Sequence, residues 1–106
     1  MDDRIEMLEQ TIRKRRDADP AESYVASLNA KGRAKMAEKV GEEAVETAIA
    51  AVQNDRSAVI NESADLLFHL MVLIADMDVS LEDVLAELAR REGQSGLEEK
   101  ASRGVS

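Results

Sequence analysis

The chain contains no cysteine and no tryptophan, and its 106 residues include one phenylalanine, one tyrosine and one proline. Without cysteine, neither a disulfide framework nor thiol chemistry is available. Because aromatic residues are nearly absent, the core must consist of leucine, isoleucine, valine, alanine and methionine, a mixture that favours helices over sheets. One proline and five glycines leave few turn signals, which indicates a few long helices in a single all-α domain.

An excess of positive charge is also missing, since the formal net charge is −8 at pH 7. Nucleic acids and anionic membranes bind to clustered positive charge, so we expect neither partner. The N-terminal sequence MDDRIEMLEQ has no signal-peptide character, which predicts a cytoplasmic protein.

The most apolar segment is LLFHLMVLIA, residues 66–75, with nine apolar residues in ten. A membrane span needs about 20 residues, so this segment predicts a buried helix. A helix that is apolar on nearly all sides is hard to cover in so small a chain. We therefore expect a helical bundle that is completed by a homodimer.

Apolar spacing and capping residues predict a helical domain over residues 1–92, followed by a tail at 93–106. The predicted helices cover residues 3–17, 20–31, 33–53, 57–77 and 80–91. Asp19 as N-cap and Pro20 as the first helical residue predict the start of the second helix. Ser80 and Asp83 have the spacing of a capping box at the start of the fifth.

The third predicted helix has an acidic stripe on one side and an apolar stripe on the other. The first contains Lys39, Glu42, Glu43 and Glu46, and the second contains Gly41, Ala44, Val45, Ala48 and Val52. Taken alone, this pattern is typical of an amphipathic helix whose acidic face is solvated. The close approach of a neighbouring helix would explain why a glycine lies in the apolar stripe.

The fourth predicted helix has a narrow polar stripe among apolar positions, consisting of Glu62, Asp65, His69 and Asp76. A short break separates this helix from the third, which predicts an antiparallel hairpin. With Asn54 as its centre, residues at equal distance from the turn lie at the same level. The levels pair Glu46 with Glu62, Glu43 with Asp65, and Lys39 with His69.

Four carboxylates that converge in this way would repel one another strongly unless a cation lay between them. Oxygen ligands suit Mg²⁺ or Mn²⁺, whereas a di-iron bundle uses Glu-x-x-His and fits less well. Three interpretations stay open on the residues alone. A single histidine in an apolar helix is more often a core or interface residue than a catalyst. Lys39 is either a candidate ligand contact or an ion pair with the glutamates, and Arg33 with Lys35 either holds an anionic tail or is solvated.

Three stretches of the chain resemble one enzyme family. SYVASLNAKGRAKMAEKVGEEAVETAIAA at 23–51 and ESADLLFHLMVLIAD at 62–76 resemble the phosphoribosyl-ATP pyrophosphatases of histidine biosynthesis. SGLEEKASR at 95–103 resembles the end of their stand-alone members. The parent superfamily, the all-α MazG-like nucleotide pyrophosphohydrolases, is marked by ExxE and ExxD motifs. Glu43 with Glu46 and Glu62 with Asp65 match these motifs.

The resemblance implies a Mg²⁺-dependent helical dimer that hydrolyses the α,β-phosphoanhydride of phosphoribosyl-ATP. The products are phosphoribosyl-AMP and pyrophosphate, in the second step of histidine biosynthesis. The implied metal ligands are Glu43, Glu46, Glu62 and Asp65. Lys39 would stabilise developing charge, and Glu42 would position a water molecule or act as base. The implied substrate-binding residues are Arg33, Lys35, His69, Lys100 and Arg103.

Two other functions are compatible with the same residues. One is a house-cleaning pyrophosphohydrolase of the same superfamily that acts on dUTP, dCTP or noncanonical nucleoside triphosphates. The other is a non-enzymatic helical dimerisation module whose acidic stripes are solvated.

Overall fold

The structure, a computed structural model, describes residues 2–92 as an all-helical domain, which confirms the predicted fold class. The five helices are α1 (Asp3–Arg15), α2 (Tyr24–Lys31), α3 (Arg33–Val52), α4 (Arg56–Asp76) and α5 (Leu81–Arg91). No strand is present between residues 2 and 92. The predicted tail, residues 93–106, lies outside the described residues.

Side chains at the helix starts explain where several helices begin. Asp55 caps α4, and its carboxylate accepts a hydrogen bond from the Ala58 amide at 3.0 Å. Ser80 and Asp83 form the predicted capping box of α5. Between α3 and α4, Asn54 adopts a φ of 58°, a left-handed conformation that asparagine tolerates and that turns the chain back.

The predicted start of the second helix was wrong. Ser23, not Asp19, is the N-cap of α2, and its hydroxyl accepts a hydrogen bond from the Ala26 amide at 3.2 Å. Asp19 instead closes a turn in which its carboxylate accepts a hydrogen bond from the Ala21 amide at 2.9 Å. Aspartate and proline are favoured in turns for the same local reasons that favour them at helix starts, so the dipeptide does not distinguish the two.

α3 and α4 pack side by side as the predicted antiparallel hairpin. At the open end of this hairpin, the Arg33 guanidinium at the start of α3 contacts the Asp76 carboxylate at the end of α4, at 2.8 Å. The hydrophobic core lies at the same end, where α1, α2 and α5 cover the hairpin. Its largest fully buried side chains are Ile12, Leu28, Met36 and Met71.

α1 holds the segment that connects α4 to α5. The Glu9 carboxylate accepts a hydrogen bond from the Leu81 amide, at the first residue of α5, at 2.7 Å. The Arg13 guanidinium donates to the Val79 carbonyl at 3.3 Å. A carboxylate at a helix N-terminus is favourable because it satisfies a free amide and the positive end of the helix dipole.

α3 departs from an ordinary amphipathic surface helix, although Glu42 and Glu46 of its acidic stripe are exposed. Glu43, from the acidic stripe, is buried, whereas Val45, Ile49 and Val52, on the apolar side, are 58%, 51% and 87% exposed. No neighbouring helix among residues 2–92 explains Gly41, because a Cβ atom at this position would meet none of their atoms within 4 Å.

α4 is long and apolar enough to cross a membrane when judged by length and composition alone. In the structure its C-terminal half instead forms part of the protein core, with Met71, Val72 and Ala75 buried. The buried-helix prediction is therefore confirmed for this half. The half nearer the turn is more open, and Ile60 is 70% exposed.

Candidate metal centre

The hairpin brings three of the four predicted metal ligands together. Carboxylate oxygens of Glu43 on α3 and of Glu62 and Asp65 on α4 all lie within 4.8 Å of one another. The fourth, Glu46, lies one turn after Glu43, and its carboxyl group has the largest effect on the pKa of Glu62. Of the predicted levels around Asn54, the pairing of Glu43 with Asp65 agrees with this cluster.

Two oxygens in this cluster, Oε2 of Glu43 and Oε2 of Glu62, are buried without a hydrogen-bonding partner among residues 2–92. Buried polar atoms are normally paired, so two unpaired carboxylate oxygens on facing helices require an explanation. The Glu43 residue is 6% exposed, while Asp65 is exposed, so the cluster is closed on one side and open to solvent on the other. An all-oxygen set of this kind fits a Mg²⁺ or Mn²⁺ ion that keeps part of its water shell.

The crowding of carboxyl groups changes the acidity of Glu62. The neighbouring carboxyl group of Glu46, burial of the Glu62 carboxyl and the carboxyl group of Glu43 together raise the pKa of Glu62 to about 7. Like charges disfavour ionisation, and a cation in the same place would reverse the effect. A carboxyl group with so high a pKa is a marker of a functional site.

A lysine lies at the edge of the cluster. The Lys39 ammonium is 3.2 Å from a carboxylate oxygen of Glu42 and 3.6 Å from one of Glu43. The hydrogen bond from Lys39 lowers the pKa of Glu42, which makes this exposed carboxylate a weaker base. Lys39 thus contributes a positive charge beside the carboxylates.

His69 lies on α4 one turn after Asp65 and is 6% exposed. Its Nδ1 is 2.7 Å from the Asp65 carbonyl oxygen, and its Nε2 is 2.8 Å from the Tyr24 hydroxyl. Both ring nitrogens are thus occupied within the chain. The sequence analysis did not single out Tyr24. Two features of the sequence could have pointed to Tyr24. It is the single tyrosine of the chain, and it is the second residue of the stretch that resembles the enzyme family.

The predicted anion-binding residues Arg33 and Lys35 are both held by carboxylates. Arg33 donates to the Asp76 carboxylate at 2.8 Å, and Lys35 is 3.4 Å from Glu38. The Arg16 guanidinium lies 3.8 Å from the same Asp76 carboxylate, which is partly buried. Lys100 and Arg103 lie outside the described residues.

Comparison with known proteins identifies the family to which these helices and carboxylates belong. The profile of the phosphoribosyl-ATP pyrophosphohydrolase family matches residues 5–92, which include all five helices except the start of α1. The chain belongs to this family. The match contains the hairpin and every carboxylate of the cluster.

Named relatives in this family are similar over nearly the whole chain. A phosphoribosyl-ATP pyrophosphatase from Rhizorhabdus wittichii is 64% identical over 99 residues, which cover 93% of each chain. One from Novosphingobium aromaticivorans is 64% identical over 91% of this chain and 90% of its own. A third, from Erythrobacter litoralis, is 62% identical over 94% of this chain and 96% of its own.

Proposed function

We propose that this chain hydrolyses phosphoribosyl-ATP at the α,β-phosphoanhydride, releasing phosphoribosyl-AMP and pyrophosphate in histidine biosynthesis. The observation that carries the proposal is the pair of unpartnered, buried carboxylate oxygens of Glu43 and Glu62 on facing helices. Family membership and relatives named phosphoribosyl-ATP pyrophosphatase support the identity of the substrate. As an enzyme of a biosynthetic pathway for a small metabolite, it would act in the cytoplasm.

Glu43, Glu62 and Asp65 would hold Mg²⁺, with Mn²⁺ as a substitute and Glu46 as a further ligand. When bound, the metal would neutralise the triphosphate and activate a water molecule for attack on phosphorus. A substrate with several negative charges cannot otherwise approach a cluster of carboxylates in a chain of net charge −8.

Lys39 would stabilise the negative charge that develops as the anhydride bond breaks. Because Lys39 lowers the pKa of Glu42, we assign Glu42 to holding Lys39 or a water molecule in place. A carboxylate with a lowered pKa is poorly suited to abstracting a proton.

Arg33 and Lys35 would bind outer phosphate groups of the substrate. The Lys35–Glu38 pair is exposed and therefore weak, so Lys35 can exchange Glu38 for a phosphate. Arg33 would have to leave the partly buried Asp76 carboxylate to reach a phosphate. His69 would contact substrate only if the Tyr24 hydroxyl moved away from its Nε2.

Lys100 and Arg103 remain expected phosphate ligands, and truncation after Gly93 tests them. Unchanged KM and turnover in the truncated chain would remove the tail from the mechanism.

A homodimer would cover the exposed apolar side of the hairpin. Val52 is 87% exposed, Ile60 is 70% exposed and Ile49 is 51% exposed, all near the turn. Apolar side chains grouped in this way are typical of an interaction surface. Sedimentation of wild-type protein and of Ile49→Asp tests the proposal. A dimer that dissociates in the variant supports it, and a wild-type monomer at micromolar concentration contradicts it.

Release of pyrophosphate by the purified protein with Mg²⁺ tests the reaction directly. Phosphoribosyl-ATP is compared with ATP, dUTP and dCTP at equal concentration. Selective turnover of phosphoribosyl-ATP supports the proposed reaction, whereas turnover of dUTP or dCTP instead would indicate a house-cleaning enzyme with the same metal site.

The variants Glu46→Gln and Asp65→Asn test the site. We expect the fold to be retained while Mg²⁺ binding and turnover are lost. Lys35→Gln alters the charge of the same hairpin outside the cluster and serves as a control for Mg²⁺ binding. Full turnover in both cluster variants would refute the metal site and would mean that these carboxylates form only a solvated helix face.

A further inference from the structure

Tyr24, the first residue of α2, connects this helix to α4 at the carboxylate cluster. Its hydroxyl is 2.8 Å from His69 Nε2, while half of the residue remains exposed. The Tyr24 ring stacks on Phe68, with ring centroids 6.0 Å apart and planes at 22°. The position of the hydroxyl is therefore fixed by the start of α2 on one side and by an aromatic contact on the other.

The partners of His69 determine which of its nitrogens carries the proton. The Asp65 carbonyl can only accept, so the His69 Nδ1 at 2.7 Å must donate to it. In the neutral imidazole, Nε2 then accepts from the Tyr24 hydroxyl. Edge-on contacts with the rings of Tyr24 and Phe68, at 5.6 Å and 5.2 Å between centroids, hold the imidazole plane. A directed set of hydrogen bonds thus leads from Tyr24 through His69 to Asp65.

Asp65 is the last residue of this set of hydrogen bonds, and its carboxylate lies within 4.8 Å of the carboxylates of Glu43 and Glu62. On the basis of the metal-dependent function proposed above, we propose that Tyr24 is a positioning residue for the metal centre. Through His69, its hydroxyl holds the Asp65 turn of α4 in the orientation that brings the Asp65 carboxylate into the cluster. Residues that orient metal ligands in this indirect way commonly affect metal affinity by about 10- to 100-fold.

The composition of the chain makes the test unusually specific. His69 is the single histidine and Tyr24 the single tyrosine among the 106 residues. The imidazole signals in a ¹⁵N spectrum therefore come from His69 alone, and fluorotyrosine incorporated during expression labels Tyr24 alone. In metal-free wild-type protein at pH 8 we expect one protonated nitrogen, Nδ1, and one unprotonated nitrogen, Nε2.

Tyr24→Phe removes the hydroxyl and keeps the ring. We expect the Nε2 signal of His69 to shift, Mg²⁺ affinity measured by calorimetry to fall about tenfold, and kcat to fall with it. Protein with 3-fluorotyrosine keeps the hydroxyl and is expected to bind Mg²⁺ within about twofold of wild type, since this bond is retained. Asn29→Ala is the matched control, because it removes a hydrogen bond from α2 to the Arg16 carbonyl at 3.1 Å without touching Tyr24.

A second measurement needs no variant. Addition of Mg²⁺ to wild-type protein should shift the His69 ¹⁵N signals, because the imidazole is bonded to the Asp65 turn. Unchanged signals at saturating Mg²⁺, or a Tyr24→Phe protein with wild-type Mg²⁺ affinity, would overturn the positioning role while leaving the metal site intact. Wild-type protein that binds no Mg²⁺ at all would instead overturn the proposed function and the positioning role together.

Discussion

Replacement of Glu43 by glutamine should have opposite effects on stability with and without metal. Glu43 is the most buried carboxylate of the cluster, 6% exposed, and its Oε2 has no hydrogen-bonding partner in the part of the chain that the structure describes. Glutamine has nearly the same shape but no charge, and its amide can donate a hydrogen bond to a neighbouring carboxylate. Metal-free protein should therefore gain stability, while Mg²⁺ should no longer stabilise the fold.

The magnitude follows from the geometry. Two unit charges 4.8 Å apart, the outer limit for the Glu43 and Asp65 oxygens, repel by about 3.5 kcal/mol at an effective dielectric constant of 20. Loss of the 3.6 Å ion pair with Lys39 offsets part of this. A net gain of about 2 kcal/mol corresponds to a Tm increase of roughly 8–16 °C for a domain of this size.

Thermal unfolding in EDTA and in Mg²⁺ is the assay. For wild-type protein, Mg²⁺ at about 100 times its Kd should add about 2.7 kcal/mol to the free energy of unfolding. Glu43→Gln should lose this Mg²⁺-dependent stabilisation, and its turnover should fall by at least about 100-fold. Glu38→Gln removes an exposed carboxylate on the same helix. It should change neither the stabilisation by Mg²⁺ nor the turnover. A Glu43→Gln protein that is less stable than wild type in EDTA would show that the carboxylate is stabilised within the metal-free fold, and the reasoning about the cluster would be refuted.

Three further predictions concern single residues. Because the pKa of Glu62 in the folded state is about 7, above its ordinary value of 4.5, the stability of metal-free protein should fall as the pH rises from 5.5 through 7. Mg²⁺ affinity should rise over the same interval, and Glu62→Gln should flatten both profiles; a wild-type Tm in EDTA that is constant between pH 5.5 and 8 would contradict this. Gly41→Ala, at a helical position with open space around it, should raise the free energy of unfolding by about 1 kcal/mol without loss of turnover. Lower stability or activity would mean that a partner subunit or the substrate approaches Gly41. Glu9→Ala leaves the Leu81 amide without its acceptor at 2.7 Å and should lower stability in urea unfolding by about 1–2 kcal/mol. The exposed neighbour Glu6→Ala should have little effect, and equal losses in both variants would contradict a specific role for Glu9.

Much of the fold is encoded locally and could therefore be predicted from the sequence. The capping box at Ser80 and Asp83 and the break at Asn54 depend on side-chain and backbone preferences over a few residues. The start of α2 depends on more than that. Asp19 and Ser23 are both good N-caps, and burial of Val25, Ala26 and Leu28 in the core accompanies the helix that begins after Ser23.

The sequence by itself determined that carboxylates on α3 and α4 would share levels, because helical periodicity and one short turn fix which residues face each other. Only the tertiary structure decided which of them meet. It placed Glu43, Glu62 and Asp65 in one cluster and Glu46 beside it. It also left the apolar side of α3 exposed, and it brought Tyr24 to His69 across 45 residues of chain. Such contacts depend on how separate helices pack, and no pattern within a single helix contains that information.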